Sequence, residues 1–167
     1  MKKLLLSLAA LSLTAAPAFA DDAGSYINLG VSKIAKDAGW ALAGRWGYNF
    51  EGYFGVEAEG HLGITSQESD TIPGVDIKLN NSLAGYVTAR MPLSEETSLF
   101  VRGGYHTTSL KVSGPAIVDS SGSVDGLAFG AGINYMYNEN SGIRLEYTGL
   151  KDGDTTDVIS LGYVYKF

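Results

Sequence analysis

From about residue 25 to the C-terminus the chain alternates: apolar side chains recur at every second position, in runs separated by clusters of Gly, Asn, Asp, Ser and Pro. Period two marks a strand with two unlike faces, whereas helical spacing is poor here and glycines interrupt each candidate helix. The pattern predicts eight strands, at 25–34, 38–48, 53–65, 78–91, 98–111, 125–137, 142–150 and 157–167. Sorting each strand by parity separates two sets of residues. One holds Ile27, Leu29, Val31, Trp40, Leu42, Trp46, Tyr48, Phe54, Val56, Leu62, Leu83, Val87, Leu99, Val101 and Tyr105 in the first five strands. It continues with Leu127, Phe129, Ile133, Tyr135, Tyr137, Ile143, Leu145, Tyr147, Ile159, Leu161, Tyr163, Tyr165 and Phe167. The other holds Asn28, Ser32, Arg45, Glu57, Glu59, His61, Ser82, Tyr86, Arg90, Arg102, His106, Arg144, Glu146, Ser160 and Lys166, interleaved with Gly and Ala.

Alternation alone leaves open which face points inward. A soluble barrel or sandwich buries the apolar set, and a transmembrane barrel turns it outward. Three features favour the second arrangement. The polar face is rich in small residues and its charges are of mixed sign, as a narrow lumen requires. Aromatic residues of the apolar face gather near strand ends: Trp46, Tyr48, Phe54, Tyr135, Tyr137, Tyr165 and Phe167 near one set of turns, Trp40 near the other. Rings that are apolar with a polar edge prefer a membrane interface, so this set reads as a girdle. The connections also alternate, short at 49–52, 92–97 and 138–141 and long at 66–77 and 112–124. The predicted fold is all-β, an eight-stranded antiparallel transmembrane up-and-down barrel. Mean hydropathy of only +0.05 fits it, because a closed barrel pairs its backbone in lipid without long apolar runs.

Residues 1–20 read differently. Lys2 and Lys3 precede an apolar stretch from Leu4 to Leu13, and Ala18-Phe19-Ala20 has the small-x-small form of a cleavage site. This is an expected signal peptide, leaving residues 21–167 as the barrel. Losing Lys2 and Lys3 from a chain of net charge −6 leaves 10 basic and 18 acidic residues, a net of −8. That sign argues against nucleic acid as a partner. The absence of cysteine excludes disulfide scaffolds, thiol enzymes and a lipoprotein anchor. The expected location is the outer membrane of a Gram-negative cell.

The last strand, Asp157-Val-Ile-Ser-Leu-Gly-Tyr-Val-Tyr-Lys-Phe167, ends on an aromatic and keeps five apolar residues in phase. It resembles the C-terminal assembly signal of bacterial outer-membrane barrels. Ser98-Leu-Phe-Val-Arg-Gly-Gly-Tyr105, Leu127-Ala-Phe-Gly-Ala-Gly-Ile-Asn-Tyr135 and Ser141-Gly-Ile-Arg-Leu-Glu-Tyr147 are similar to strands of small OmpX-like and OmpA-like barrels. The resemblance implies Sec export and insertion by the barrel-assembly machinery, with outer-membrane lipid and lipopolysaccharide as surroundings and a monomeric state. No OmpA-like periplasmic domain is expected after Phe167.

Candidate chemistry lies on the inward face. Arg45, Arg90, Arg102, Arg144 and Lys166 oppose Glu57, Glu59 and Glu146. Arg45, Glu57, Arg102 and Glu146 are expected at similar depth, in one network. Such pairs either neutralise a filled lumen or, as the OmpA-like resemblance implies by residue type, form a gate. His61 and His106 also face inward. Lipid-modifying barrels such as the PagL deacylase place Ser two residues from His, but Gly63 and Thr108 stand at those positions. No cofactor and no metal are expected, since two histidines lack a third clear ligand. The glycines at 126–132 sit inside a strand and open no phosphate-binding helix. Acids in the long connections (Glu68, Asp70, Asp76, Asp119, Asp152, Asp154 and Asp157) match no calcium-loop spacing. Ile117 and Val118 are a small apolar contact candidate. The sequence thus favours a non-enzymatic barrel with a packed lumen, serving envelope integrity or presenting loops for adhesion or host contact. The alternatives are a narrow gated channel and a lipid-modifying enzyme.

Overall fold

The computed structural model describes residues 23–35, 39–65, 67–68, 76–114, 117–153 and 155–167, with backbone alone at 67–68, 76–80, 110–114 and 117–121. The predicted leader lies outside the described residues. Nine strands run through them: β1 (Gly24–Ile34), β2 (Gly39–Asn49), β3 (Phe54–Gly63), β4 (Gln67–Glu68), β5 (Asp76–Pro92), β6 (Thr97–Gly114), β7 (Ile117–Met136), β8 (Ser141–Lys151) and β9 (Thr155–Lys166). Sequence neighbours pair except β3 and β4; β1 pairs with β9, and β3 pairs with β5 as well as β2, so the sheet closes. All pairs are antiparallel. Eight strands form the closed wall, and the two-residue β4 extends β5 beyond it.

The closing seam runs from Tyr26 opposite Lys166 to Ile34 opposite Val158, and the Phe167 amide donates to the Ser25 carbonyl at 3.0 Å. Both ends of the barrel segment therefore lie at one end, with the short turns. Those turns are locally fixed. The Asn138 side-chain oxygen accepts from the Ser141 amide at 2.7 Å, and the Ser94 hydroxyl accepts from the Thr97 amide at 3.0 Å. Asx and Ser side chains substitute in this way for backbone partners in tight turns.

The parity sets take opposite sides of the wall. Leu29, Leu62, Val87, Leu127 and Ile159 are each more than half exposed, whereas Asn28, Arg45, Glu57, Glu59, Arg102, Arg144 and Glu146 are buried. An apolar wall of this extent is stable only against lipid. The lumen is so narrow that glycine is needed where a neighbour crosses it. A Cβ on Gly47 would overlap the Tyr26 ring, and one on Gly130 would press on the Thr148 hydroxyl and Arg102 Nε.

The connections differ from expectation. Segment 112–124, predicted as a loop, is largely paired strand: β6 has 18 residues and β7 has 20, about twice the ~9–11 that span a bilayer. Part of 66–77 is likewise paired, Gln67 with Ile77 and Glu68 with Asp76. Beyond the bilayer both faces of a strand meet water. The hydrophobic alternation that marks a strand is then lost while the backbone ladder persists. β8 ends at Lys151 opposite Leu127, so among the described residues Ile117 and 120–126 of β7 pair with β6 alone.

Leu161→Arg, on the outer wall midway along β9, is expected to cost about 2–4 kcal/mol in phospholipid vesicles, and Tyr137→Arg, at a turn, about 0–1 kcal/mol. Guanidinium unfolding measures both, and equal costs would contradict the placement of the wall in lipid.

Candidate functional site

The lumen is layered. At the end opposite the short turns, Ile34, Ala41 and Val158 are buried together with Leu150 packed against them. They form an apolar cluster on the side of the lumen made by β1, β2, β8 and β9. Below this level hydroxyl and imidazole groups of β1, β3, β5, β6 and β9 face inward. The Ser32 and Ser160 hydroxyls lie 2.7 Å apart, His61 Nε2 is 3.1 Å from Ser32 Oγ, and Ser82 and Thr108 hydroxyls are 2.9 Å apart. Thr108 also lies 3.0 Å from His106 Nδ1.

The next layer holds three arginines and three glutamates. Arg144 donates to Glu57 at 2.6 Å and to Glu146 at 2.6 Å. Arg102 reaches Glu59 at 2.8 Å and Glu57 at 3.2 Å, and also contacts Glu146. Arg45 pairs with Glu146 at 3.0 Å and with Glu59. Each carboxylate thus meets at least two guanidinium groups, and each guanidinium at least two carboxylates. Neutral groups complete the shell. Tyr26 donates to Glu57, Tyr86 to Glu59 at 3.2 Å, and Thr148 to Glu146 at 3.1 Å. Two guanidinium carbons also lie over rings, Arg102 at 3.9 Å from the Tyr86 centroid and Arg144 at 3.7 Å from Phe100. Formal charge cancels within the six. A buried ion is tolerable only when paired and hydrogen-bonded in this way.

The eight predicted network residues therefore divide. Arg45, Glu57, Glu59, Arg102, Arg144 and Glu146 come together, whereas Arg90 and Lys166 lie toward the short-turn mouth. There Arg90 Nη2 donates to the Gly52 carbonyl at 3.4 Å. Sequence reasoning missed Tyr26 and Phe100 as lumen residues. Tyr26 shares parity with Asn28, and Phe100 with Arg102, a signal hidden by their aromatic character.

His61 Nδ1 lies 3.6 Å from Glu59 Oε1. Ser32, His61 and Glu59 thus stand in the order nucleophile, base, acid. The serine, however, is 0% exposed, and Glu59 is held by Arg45 and Arg102. Among the described residues no cluster of three His, Asp or Glu could hold a metal.

On the outer wall Trp40, Trp46, Phe54, Tyr135, Tyr137, Tyr165 and Phe167 are exposed, and Tyr48 is half-covered, its ring 5.6 Å edge-on from Phe50. Phe50 and Tyr53, not anticipated, are exposed at the β2–β3 turn. Lys33 Nζ sits 5.8 Å over Trp40 at the other end. The side chains of Glu68, Asp70, Asp76, Ile117, Val118, Asp119 and Asp154 lie outside the described residues. Asp157 accepts from the Tyr147 hydroxyl at 2.6 Å on the outer wall.

A closed antiparallel wall, apolar outside and charged inside, defines a transmembrane barrel of the outer-membrane type. The chain matches the outer membrane protein beta-barrel domain family over residues 6–167 and belongs to it. No curated protein matches it in sequence. Its fold is similar to that of Ail, the attachment invasion locus protein of Yersinia pestis, solved with the heparin analogue sucrose octasulfate. That match has TM-score 0.64 and 22% identity, over 88% of this chain and 100% of that one. It is also similar to the N-terminal barrel domain of Pseudomonas aeruginosa OprF (TM-score 0.68, 13% identity, 87% of this chain and 98% of that one). A third similar structure is Neisserial surface protein A (TM-score 0.64, 16% identity, 88% and 100%). At these identities the likeness is one of fold.

Glu146→Ala leaves Arg45, Arg102 and Arg144 each short of a partner and is expected to cost about 3–5 kcal/mol. Combining it with Arg144→Ala is expected to cost less than the sum by about 0.5–3 kcal/mol, because the two sites share partners. Vesicle unfolding of the single and double variants measures this, and simple additivity would speak against an interlocked cluster.

Proposed function

We propose that this outer-membrane barrel is a non-enzymatic surface protein with a closed lumen, exported by its leader, whose projecting strands recognise an external partner. The observation that carries the reading is the extension of β5, β6 and β7 past the rim. In it, the backbone of Ile117 and of residues 120–126 pairs on one side only. A free strand edge offers alternating N–H and C=O groups to an extended segment of another chain. The rigid wall beneath holds that edge in place, as loop-borne recognition requires. The closed lumen supports the same reading by leaving the projection as the part open to partners. Ail was crystallised with a sulfated glycan analogue. The net charge of −8 expected for the mature chain opposes a polyanion at long range. The reading therefore takes an extended, neutral or basic polypeptide as the partner.

Replacing 109–123 by an Asn-Gly turn shortens the hairpin while keeping the spanning register, since Thr108 already faces Val124. An unstructured-peptide display library is panned against both forms in lipid nanodiscs. Enrichment on the intact chain that disappears on the shortened one is expected. Absence of binders to the intact chain, or equal enrichment on both, would count against the proposal.

A further inference from the structure

At the short-turn end of the outer wall, β7, β8 and β9 bring three hydroxyl groups together. The Ser141 and Tyr163 hydroxyls lie 2.8 Å apart, and the Tyr137 hydroxyl is within hydrogen-bonding reach of both. Ser141 is 8% exposed, so the trio rests on a fixed base. Each hydroxyl has one proton and two acceptor lone pairs. Once the protons are shared within the trio, acceptor capacity is left over and no donor. Such a group complements an ammonium, which only donates, and not an anionic oxygen, which only accepts. The neighbouring rings act in the same sense. Tyr135, Tyr137 and Tyr165 are exposed on the outer wall, and aromatic faces attract ammonium groups. The charge of the rim agrees as well. Its turns carry Glu51, Glu95, Glu96 and Glu139, all exposed. The Glu96 carbonyl accepts from the Met136 amide at 2.7 Å, which sets the β5–β6 turn beside Tyr137. The cations of this end, Arg90 and Lys166, line the mouth of the lumen, and among the described residues no lysine or arginine stands on the outer side of the rim.

Toward the middle of the bilayer the same strands carry an apolar trough of about 760 Å³, lined among others by Val101, Ala131, Ile133, Leu145 and Tyr147. Ile133 lies opposite Leu145, and the next outward pair toward the turn is Tyr135 opposite Ile143. Trough and hydroxyl trio are therefore joined along β7 and β8. The trough opens on the wall that faces lipid, where the available occupant is an acyl chain. We propose that this face binds a glycerophospholipid with an ammonium headgroup, drawn from the leaflet on the short-turn side. The ammonium sits at Tyr137, Ser141 and Tyr163, and one acyl chain lies over Ala131. An anionic headgroup there meets glutamates and no spare donor. The site is at the opposite end of the barrel from the projecting strands and does not depend on what they recognise.

The refolded chain is released from mixed micelles that hold phosphatidylethanolamine and phosphatidylglycerol in equal amounts and with the same acyl chains. Native mass spectrometry reads the lipid retained, after circular dichroism has verified the folded sheet of each variant. The wild type is expected to retain phosphatidylethanolamine over phosphatidylglycerol by about two- to fivefold, the ratio that an exposed ammonium–ring contact supplies. Tyr137→Phe/Tyr163→Phe keeps the rings and removes two acceptors, and is expected to lower that ratio. Ala131→Leu fills the trough and is expected to reduce retention of both lipids, whereas Ala58→Leu, on the outer wall of β3, leaves retention unchanged. Equal retention of the two lipids by the wild type, or an unchanged ratio in the double Phe variant, would overturn the headgroup assignment. A loss with Ala131→Leu no greater than with Ala58→Leu would overturn the placement of the chain.

Discussion

Six charged side chains are buried together in a narrow lumen, and the rest of the barrel is arranged around keeping them neutral. An ion moved from water into such an interior loses several kcal/mol of solvation, recovered only through close, hydrogen-bonded partners. Arg45, Arg102 and Arg144 meet that requirement jointly with Glu57, Glu59 and Glu146, since every member bridges two or more others. The arrangement fixes more than charge. It ties β2, β3, β6 and β8 across the lumen, and Tyr26 on β1 joins through Glu57. Glycines at 47 and 130 leave room for the crossing side chains. The cluster therefore links sequence composition, which is poor in charge and rich in glycine, to a closed wall with a filled centre.

That centre explains why the outside is so plain. In hydrocarbon each backbone N–H and C=O must be paired within the protein, and closure does this for eight strands at once. The wall then needs apolar side chains facing lipid and aromatic ones near its ends, and the exposed leucines, valines and tyrosines supply them. Strands that leave the bilayer escape this requirement. β6 and β7 keep their ladder but lose the two-faced pattern, and the one-sided edge of β7 is the feature on which the proposed recognition rests.

Much of this was legible in the sequence, for identifiable reasons. Wherever one face met lipid and the other the lumen, parity separated Leu161 from Ser160 and Val101 from Arg102 correctly. Four members of the cluster were also expected at one depth from their distance to the short turns. Legibility failed where one residue type serves on both sides. Tyr26 and Phe100 face inward among polar neighbours, and Ile34, Val158 and Leu150 form an apolar cluster inside a lumen expected to be lined by polar and small residues. It failed again at 112–124, where a Ser- and Gly-rich stretch reads as a loop because the environment no longer imposes alternation. The division of Arg90 and Lys166 from the other charges depends on cross-barrel distance, which strand spacing does not encode.

The most direct test of a lumen closed by mutual neutralisation is single-channel recording of the refolded protein in a planar bilayer, beside a Glu57→Ala/Glu146→Ala variant. The account predicts a silent trace from the wild-type chain at either polarity, with current steps confined to the variant, whose cluster is no longer filled or neutral. Discrete current steps from the wild type that grow when the carboxylates are removed would contradict it and make the cluster a gate.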